Sequence, residues 1–162
     1  MSITEELQTL GLALKKRQWK LVTAESCTGG GLAYYLTSIA GSSDWFERGF
    51  VTYSNASKEE LLGVQAQTLE QFGAVSEETA LEMASGALEL SDAQLSIAIT
   101  GIAGPDGGSP QKPVGTVWFG WQAGAAQPQA KKIQFSGNRT EIREQAIQAA
   151  IEQLLACLET GK

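Results

Sequence analysis

The stretch KLVTAESCTGGGLAYYL, residues 20–36, joins two different periodicities across a run of glycines. Its opening, 20–23, reads as a short strand, and Leu32, Tyr35, Leu36 and Ile39 recur at helical spacing. The polar, glycine-rich segment 25–31 between them is a turn, so the stretch predicts a strand, a tight turn and a helix. That unit is the building block of layered α/β domains.

The flanking sequence continues the alternation. Residues 3–16 place Ile3, Leu7, Leu10 and Leu14 on one helical face, and Lys15, Lys16 and Arg17 follow where cations suit the negative end of a helix dipole. After the turn at Gly41, Ser42 and Ser43, residues 45–53 predict a strand, and 57–62 a short helix closed by Gly63. Ser76, with Glu77 and Glu78 behind it, is an N-cap for a helix through Ala80, Met83, Ala84, Ala87 and Leu88; Thr79 leaves the capping box incomplete. Residues 94–100 form a strongly apolar strand candidate, followed by a glycine-rich loop at 101–113. Strands at 116–121 and 131–135 then form a hairpin, and a long helix covers 140–158. The economical assembly is one α/β domain over 1–162 with a mixed sheet.

Composition bounds the function. Apolar residues at 43% and charged residues at 19% are values of a folded globular chain rather than a disordered one. A net charge of -6 opposes a nonspecific nucleic-acid or acidic-membrane role, while leaving room for a local basic site. The scarce cysteines, Cys27 and Cys157, and the absence of a signal-like N-terminus predict a cytoplasmic protein. Histidine is absent, which removes Ser-His-Asp triads, Cys-His dyads and histidine metal sites together. Acid–base chemistry is left to Lys, Tyr, Asp, Glu, Cys or water.

Ser26 sits at a glycine-permissive helix entry, ahead of Thr28, Gly29 and Gly30, where free N–H groups can hold an oxyanion or a phosphate. A serine that merely caps the helix is the competing reading. Tyr53, Asn55 and Lys58 lie where a strand gives way to a helix, so Lys58 can meet Ser26 and, if desolvated, take its proton. An exposed helix lysine beside a half-buried tyrosine is the bland alternative. Thr100, Gly101 and Gly104 open the long loop, at which a flat ring or phosphate can rest; a purely structural turn fits the same residues. Arg139 and Arg143, four apart, can form an anion-binding fork or a surface pair bridging acids such as Glu144. Cys27 is a possible rival nucleophile, although without a histidine partner it reads better as a buried thiol.

Five blocks in order, TAESCTGG at 23–30, YSNASK at 53–58, GAVS at 73–76, TGIAGPDGG at 100–108 and KPVGTVW at 112–118, resemble the CinA C-terminal domain family over nearly the whole chain. The resemblance implies a three-layer α/β/α sandwich with a mixed, mostly parallel five-stranded sheet. It further implies deamidation of nicotinamide mononucleotide to nicotinate mononucleotide and ammonia in pyridine-nucleotide salvage. The family's Ser-Lys pair and assisting tyrosine fall on Ser26, Lys58 and Tyr53. Cys27, Thr28, Gly29, Gly30, Asn55, Thr100, Gly101 and Gly104 are then expected around the substrate, with Arg139 and Arg143 near its phosphate and N–H groups of 27–30 on the oxyanion. Neither metal nor cofactor is expected, nor a nucleic-acid or membrane partner. Many longer family members carry an additional N-terminal domain, and the start of this chain at the first helix favours the stand-alone form. The apolar segment from Trp118 to Trp121 suggests a homo-oligomer. A catalytically silent nucleotide-binding or oligomerisation module is the alternative function.

Overall fold

Two strands buried along nearly their whole length anchor the structure, a computed structural model that describes residues 1–160. Strands β1 (Leu21–Glu25) and β3 (Leu95–Gly101) are buried on both faces, as central strands are, and their apolar residues are interrupted only by buried polar ones, Thr23, Glu25, Ser96 and Thr100. They pair in parallel at the middle of a five-stranded sheet ordered β2-β1-β3-β4-β5. Strand β2 (Phe46–Val51) lies parallel on the other side of β1. Strand β4 (Thr116–Ala123) runs antiparallel to β3, and β5 (Gln129–Gln134) antiparallel to β4, so every strand but β4 points the same way.

Alternation along the central strands sorts side chains into two layers. Leu21, Leu95, Ile97, Ile99, Val117 and Phe119 pack against helices α1 (Ile3–Arg17), α2 (Gly31–Leu36) and α6 (Arg139–Thr160). Val22, Ala24 and Ala98 pack against α3 (Asn55–Leu62), α4 (Ala66–Phe72) and α5 (Glu77–Glu89). The result is the expected three-layer sandwich, with two apolar cores separated by one sheet.

Helix α5 lies unusually close to its neighbours because small residues line its contacts. A Cβ added to Gly86 would stand 1.9 Å from the Leu62 carbonyl oxygen, and one on Gly120 of β4 would stand 2.3 Å from that of Ala80. The Ser76 N-cap is formed, its hydroxyl accepting from the Thr79 N–H at 3.2 Å. Helix α4 has no counterpart in the sequence reading. Its N-cap, Gln65, makes no side-chain capping bond, so no start signal precedes it.

Within the segment expected as an association surface, Trp118 is half-buried and its neighbours are enclosed. Phe119 is fully buried, Trp121 nearly so, and Lys132 covers the Trp118 ring at 5.9 Å. Among the described residues no helix is long and apolar enough to cross a membrane.

The sheet also decides where a site forms. Glu25 pairs with both Val51 and Ile99, so β1 and β2 end level, β3 runs two residues further to Gly101, and Thr52, Ser26 and Thr100 lie side by side. The chain leaves β1 toward α2 on one face and β2 toward α3 on the other. A crevice opens at the carboxyl ends of parallel strands where connections diverge in this way.

Candidate active site

Ser26 follows directly on β1, and its N–H donates to the Ile99 carbonyl at 2.9 Å, which fixes the residue to the neighbouring strand. Across the crevice, Ser54 caps α3 by accepting from the Ser57 N–H at 3.1 Å, and this sets the helix so that Lys58 points back under the strand ends. Lys58 is wholly buried, and its Nζ lies 2.9 Å from Ser26 Oγ. The same nitrogen donates to the carbonyl oxygens of Thr52 at 2.9 Å and Tyr53 at 3.2 Å.

Those contacts decide what the amine can do. A neutral amine has two N–H donors and one lone pair. With both donors taken by carbonyls, its lone pair is left for the serine hydroxyl. Among the described residues no carboxylate forms an ion pair with Lys58. Burial therefore acts almost unopposed and holds its pKa below the ordinary lysine value of 10.5. The arrangement suits a base that accepts the proton of Ser26.

Around the pair is a cavity of about 230 Å³ lined by Ser26, Cys27, Tyr53, Asn55, Lys58, Ala74, Val75, Thr100, Gly101, Ala103 and Arg139. The sequence reading names most of this lining but gives no site role to Ala74 or Val75. The block GAVS at 73–76 carries both, and its only chemical signal is the capping serine. Thr100 holds that wall in place, its hydroxyl donating to the Ala74 carbonyl at 2.8 Å.

Several expected residues make contacts that the sequence reading does not specify. The Tyr53 hydroxyl accepts from Arg139 Nη2 at 3.2 Å, and it is the Tyr53 carbonyl that contacts the lysine. Gly101 and Gly104 are demanded by the loop's own packing, since added Cβ atoms would stand 2.7 Å from Val117 and 2.5 Å from Val114. Asn55 is the first residue of α3 and faces the cavity. Cys27 is buried, and desolvation pushes its thiol up to about 11, so it stays protonated at neutral pH.

The two arginines diverge rather than form one fork. Arg139 lines the cavity and donates to the Gly104 carbonyl at 2.7 Å. Arg143 is turned to the backbone after Ser26, donating to the carbonyls of Cys27 at 3.1 Å and Thr28 at 3.2 Å. Neither pairs with Glu144 among the described residues.

Glu25 is a further residue that the sequence reading passes over. Almost wholly buried, its carboxylate accepts from the Thr28 hydroxyl at 2.6 Å and the N–H groups of Leu32 at 2.8 Å and Ala33 at 3.0 Å. It therefore occupies the positive end of α2, where an anion is stabilised and where a substrate phosphate would otherwise be drawn. Gly29 donates its N–H to Ser26 O and Gly31 to Thr28 O. Cys27, Thr28 and Gly30 make no backbone hydrogen bond through their N–H groups among the described residues.

Comparison with known proteins places this geometry in a wider group. Residues 4–158 match the CinA C-terminal domain. The chain is 54% identical over 149 residues to nicotinamide-nucleotide amidohydrolase PncC of Enterobacter agglomerans, an alignment covering 92% of this chain and 89% of that protein. It is 51% identical over 154 residues to the protein of the same name from Escherichia coli K12, covering 95% of this chain and 92% of the other. The crystal structure of competence/damage inducible protein CihA from Agrobacterium tumefaciens aligns with a TM-score of 0.94 at 45% identity, covering 99% of this chain and 97% of that one.

Proposed function

Since the chain belongs to the CinA C-terminal domain family, we propose that it is a nicotinamide-nucleotide amidohydrolase, hydrolysing nicotinamide mononucleotide to nicotinate mononucleotide and ammonia by means of Ser26 and Lys58. The observation that carries the mechanism is the 2.9 Å contact between a wholly buried lysine amine and a serine hydroxyl at the end of β1.

In this reading neutral Lys58 takes the Ser26 proton as Oγ attacks the carboxamide carbon. The oxyanion that forms is held by N–H groups of the turn after Ser26, with Cys27 the nearest donor in the chain. The tetrahedral intermediate collapses as the C–N bond breaks, and the Lys58 ammonium protonates the departing amine. Ammonia leaves a nicotinoyl ester on Ser26. Water then attacks that ester, gives its proton to Lys58, and the serine recovers its own proton as the acid departs. The cavity lies below the roughly 300–1,000 Å³ usual for drug-sized ligands. It suits the pyridine ring and carboxamide, with ribose and phosphate toward the mouth, where Arg139 offers a guanidinium.

Ammonia release from nicotinamide mononucleotide by the purified protein tests this, with Ser26→Ala and Lys58→Ala beside it. Turnover abolished in both folded variants supports the Ser-Lys reading. A wild-type protein that binds the nucleotide and releases no ammonia would replace it with the silent binding module.

A further inference from the structure

Three consecutive carbonyls follow the nucleophile, and all three are held. The Ser26 oxygen accepts from the Gly29 N–H at 3.0 Å, the Cys27 oxygen from Arg143 Nε at 3.1 Å, and the Thr28 oxygen from Arg143 Nη2 at 3.2 Å and the Gly31 N–H at 2.9 Å. A trans peptide unit is planar, with its C=O and N–H pointing in opposite directions. Fixing each carbonyl therefore fixes the next N–H on the far side of the plane.

The guanidinium reaches this turn from α6, 115 and 116 positions along the chain, and so binds the turn to the longest helix of the layer that α2 also occupies. Its fit is close. Gly29 adopts φ +58°, and a Cβ there would stand 3.4 Å from Arg143 Nη2. The two donors that Arg143 spends here form the fork that would otherwise clamp an anion. It has no place in the cavity lining, whereas Arg139 does.

We infer that Arg143 is a positioning residue: its guanidinium holds the Cys27–Thr28 peptide plane so that the Thr28 N–H, free of a backbone partner among the described residues, meets the oxyanion beside the Cys27 N–H, and Arg139 alone is left to serve the phosphate. The inference rests on the amidohydrolase reading of the same site. It separates two residues that their spacing in the sequence groups together.

Steady-state kinetics on Arg143→Lys and Arg139→Ala test it, with melting curves to establish that each variant is folded. Arg143→Lys keeps the charge and loses the fork. Its kcat should fall on the order of 10- to 100-fold with KM within about twofold, the signature of an interaction made mainly in the transition state. Arg139→Ala should instead raise KM. Millimolar ethylguanidinium should restore part of the kcat of Arg143→Ala, which a general loss of packing would not allow. An Arg143→Lys enzyme with raised KM and unchanged kcat, or with neither parameter changed, overturns the assignment. A fluorophosphonate probe separates this from the substrate reading, because Ser26 displaces fluoride from it and needs no nucleotide. Slower labelling in Arg143→Lys than in wild type supports the positioning role even if nicotinamide mononucleotide is not turned over. Equal labelling rates in the two proteins count against it.

Discussion

Lys58 Nζ lies 2.9 Å from Ser26 Oγ, and its remaining contacts are to backbone carbonyls of Thr52 and Tyr53 rather than to any acid. A lysine so placed has no partner to stabilise its charge, and burial favours its neutral form.

The pH dependence of turnover follows from that lowered pKa. Activity should rise with pH through the depressed value and level off below 10.5, where an ordinary lysine is still charged. Lys58→Met should reduce kcat by about 10²–10⁴-fold, the usual contribution of a positioned base. Stability has its own sign. A lysine with a lowered folded pKa destabilises the fold fully below that pKa, and the penalty disappears as pH rises through 10.5. Lys58→Met should therefore melt above wild type at neutral pH, with the difference shrinking at alkaline pH in a thermal scan.

Cys27 should be inert in the native protein. Its thiol is raised from 9.0 to about 11 by burial, so the unfolded chain ionises first. Its contribution to stability is complete below pH 9.0 and declines as pH rises through about 11. Iodoacetamide at pH 8, followed by peptide mass spectrometry, should label Cys27 slowly in the native protein and quickly after denaturation. Cys27→Ala should still release ammonia; complete loss of turnover in a folded Cys27→Ala protein would reinstate the thiol as nucleophile.

Glu25→Gln replaces one carboxylate oxygen with an amide nitrogen. Its carboxylate oxygens now accept from Thr28, Leu32 and Ala33, so the variant sets a donor against at least one of these donors. A loss of about 1.5–3 kcal/mol is expected, as for a hydrogen bond to a charged group. Denaturant melts measure it, and kcat should fall with it because Thr28 belongs to the turn after the nucleophile.

Gly86→Ala tests the close approach of α5. The new Cβ would meet the Leu62 carbonyl at 1.9 Å, a backbone atom that cannot rotate away. Destabilisation of about 1–3 kcal/mol or more is expected from overpacking, against the small helix-propensity gain of alanine. An unchanged urea midpoint would show that α3 and α5 can separate freely.

Much of the fold is legible in the sequence because it is written in periodicity. The mostly apolar β1 and β3, the amphipathic α1 and the Ser76 cap each carry a local signal that the packing then uses. Helix α4 carries no such signal, since a short helix without a capping side chain is held by tertiary contacts such as that of Leu69. The site divides along the same line. Ser26, at the end of β1, and Lys58, within α3, are visible as chemistry-bearing residues. The roles of Arg143 and of the carbonyls of Thr52 and Tyr53 are not, because a backbone acceptor has no residue type of its own. Glu25 is hidden for the opposite reason: an acid beside a glycine-rich turn reads as solvent-exposed until its burial is known.

The all-backbone anchorage of Lys58 bears on how the site tolerates sequence drift. Every residue supplies a carbonyl, so exchanges at position 52 or 53 that keep the local conformation leave the anchors of the amine in place. A base held by an aspartate can be lost through a change at either residue. Under the proposed Ser-Lys mechanism, the side chains at 52 and 53 are then left free to vary with substrate while the backbone keeps its hold on the amine.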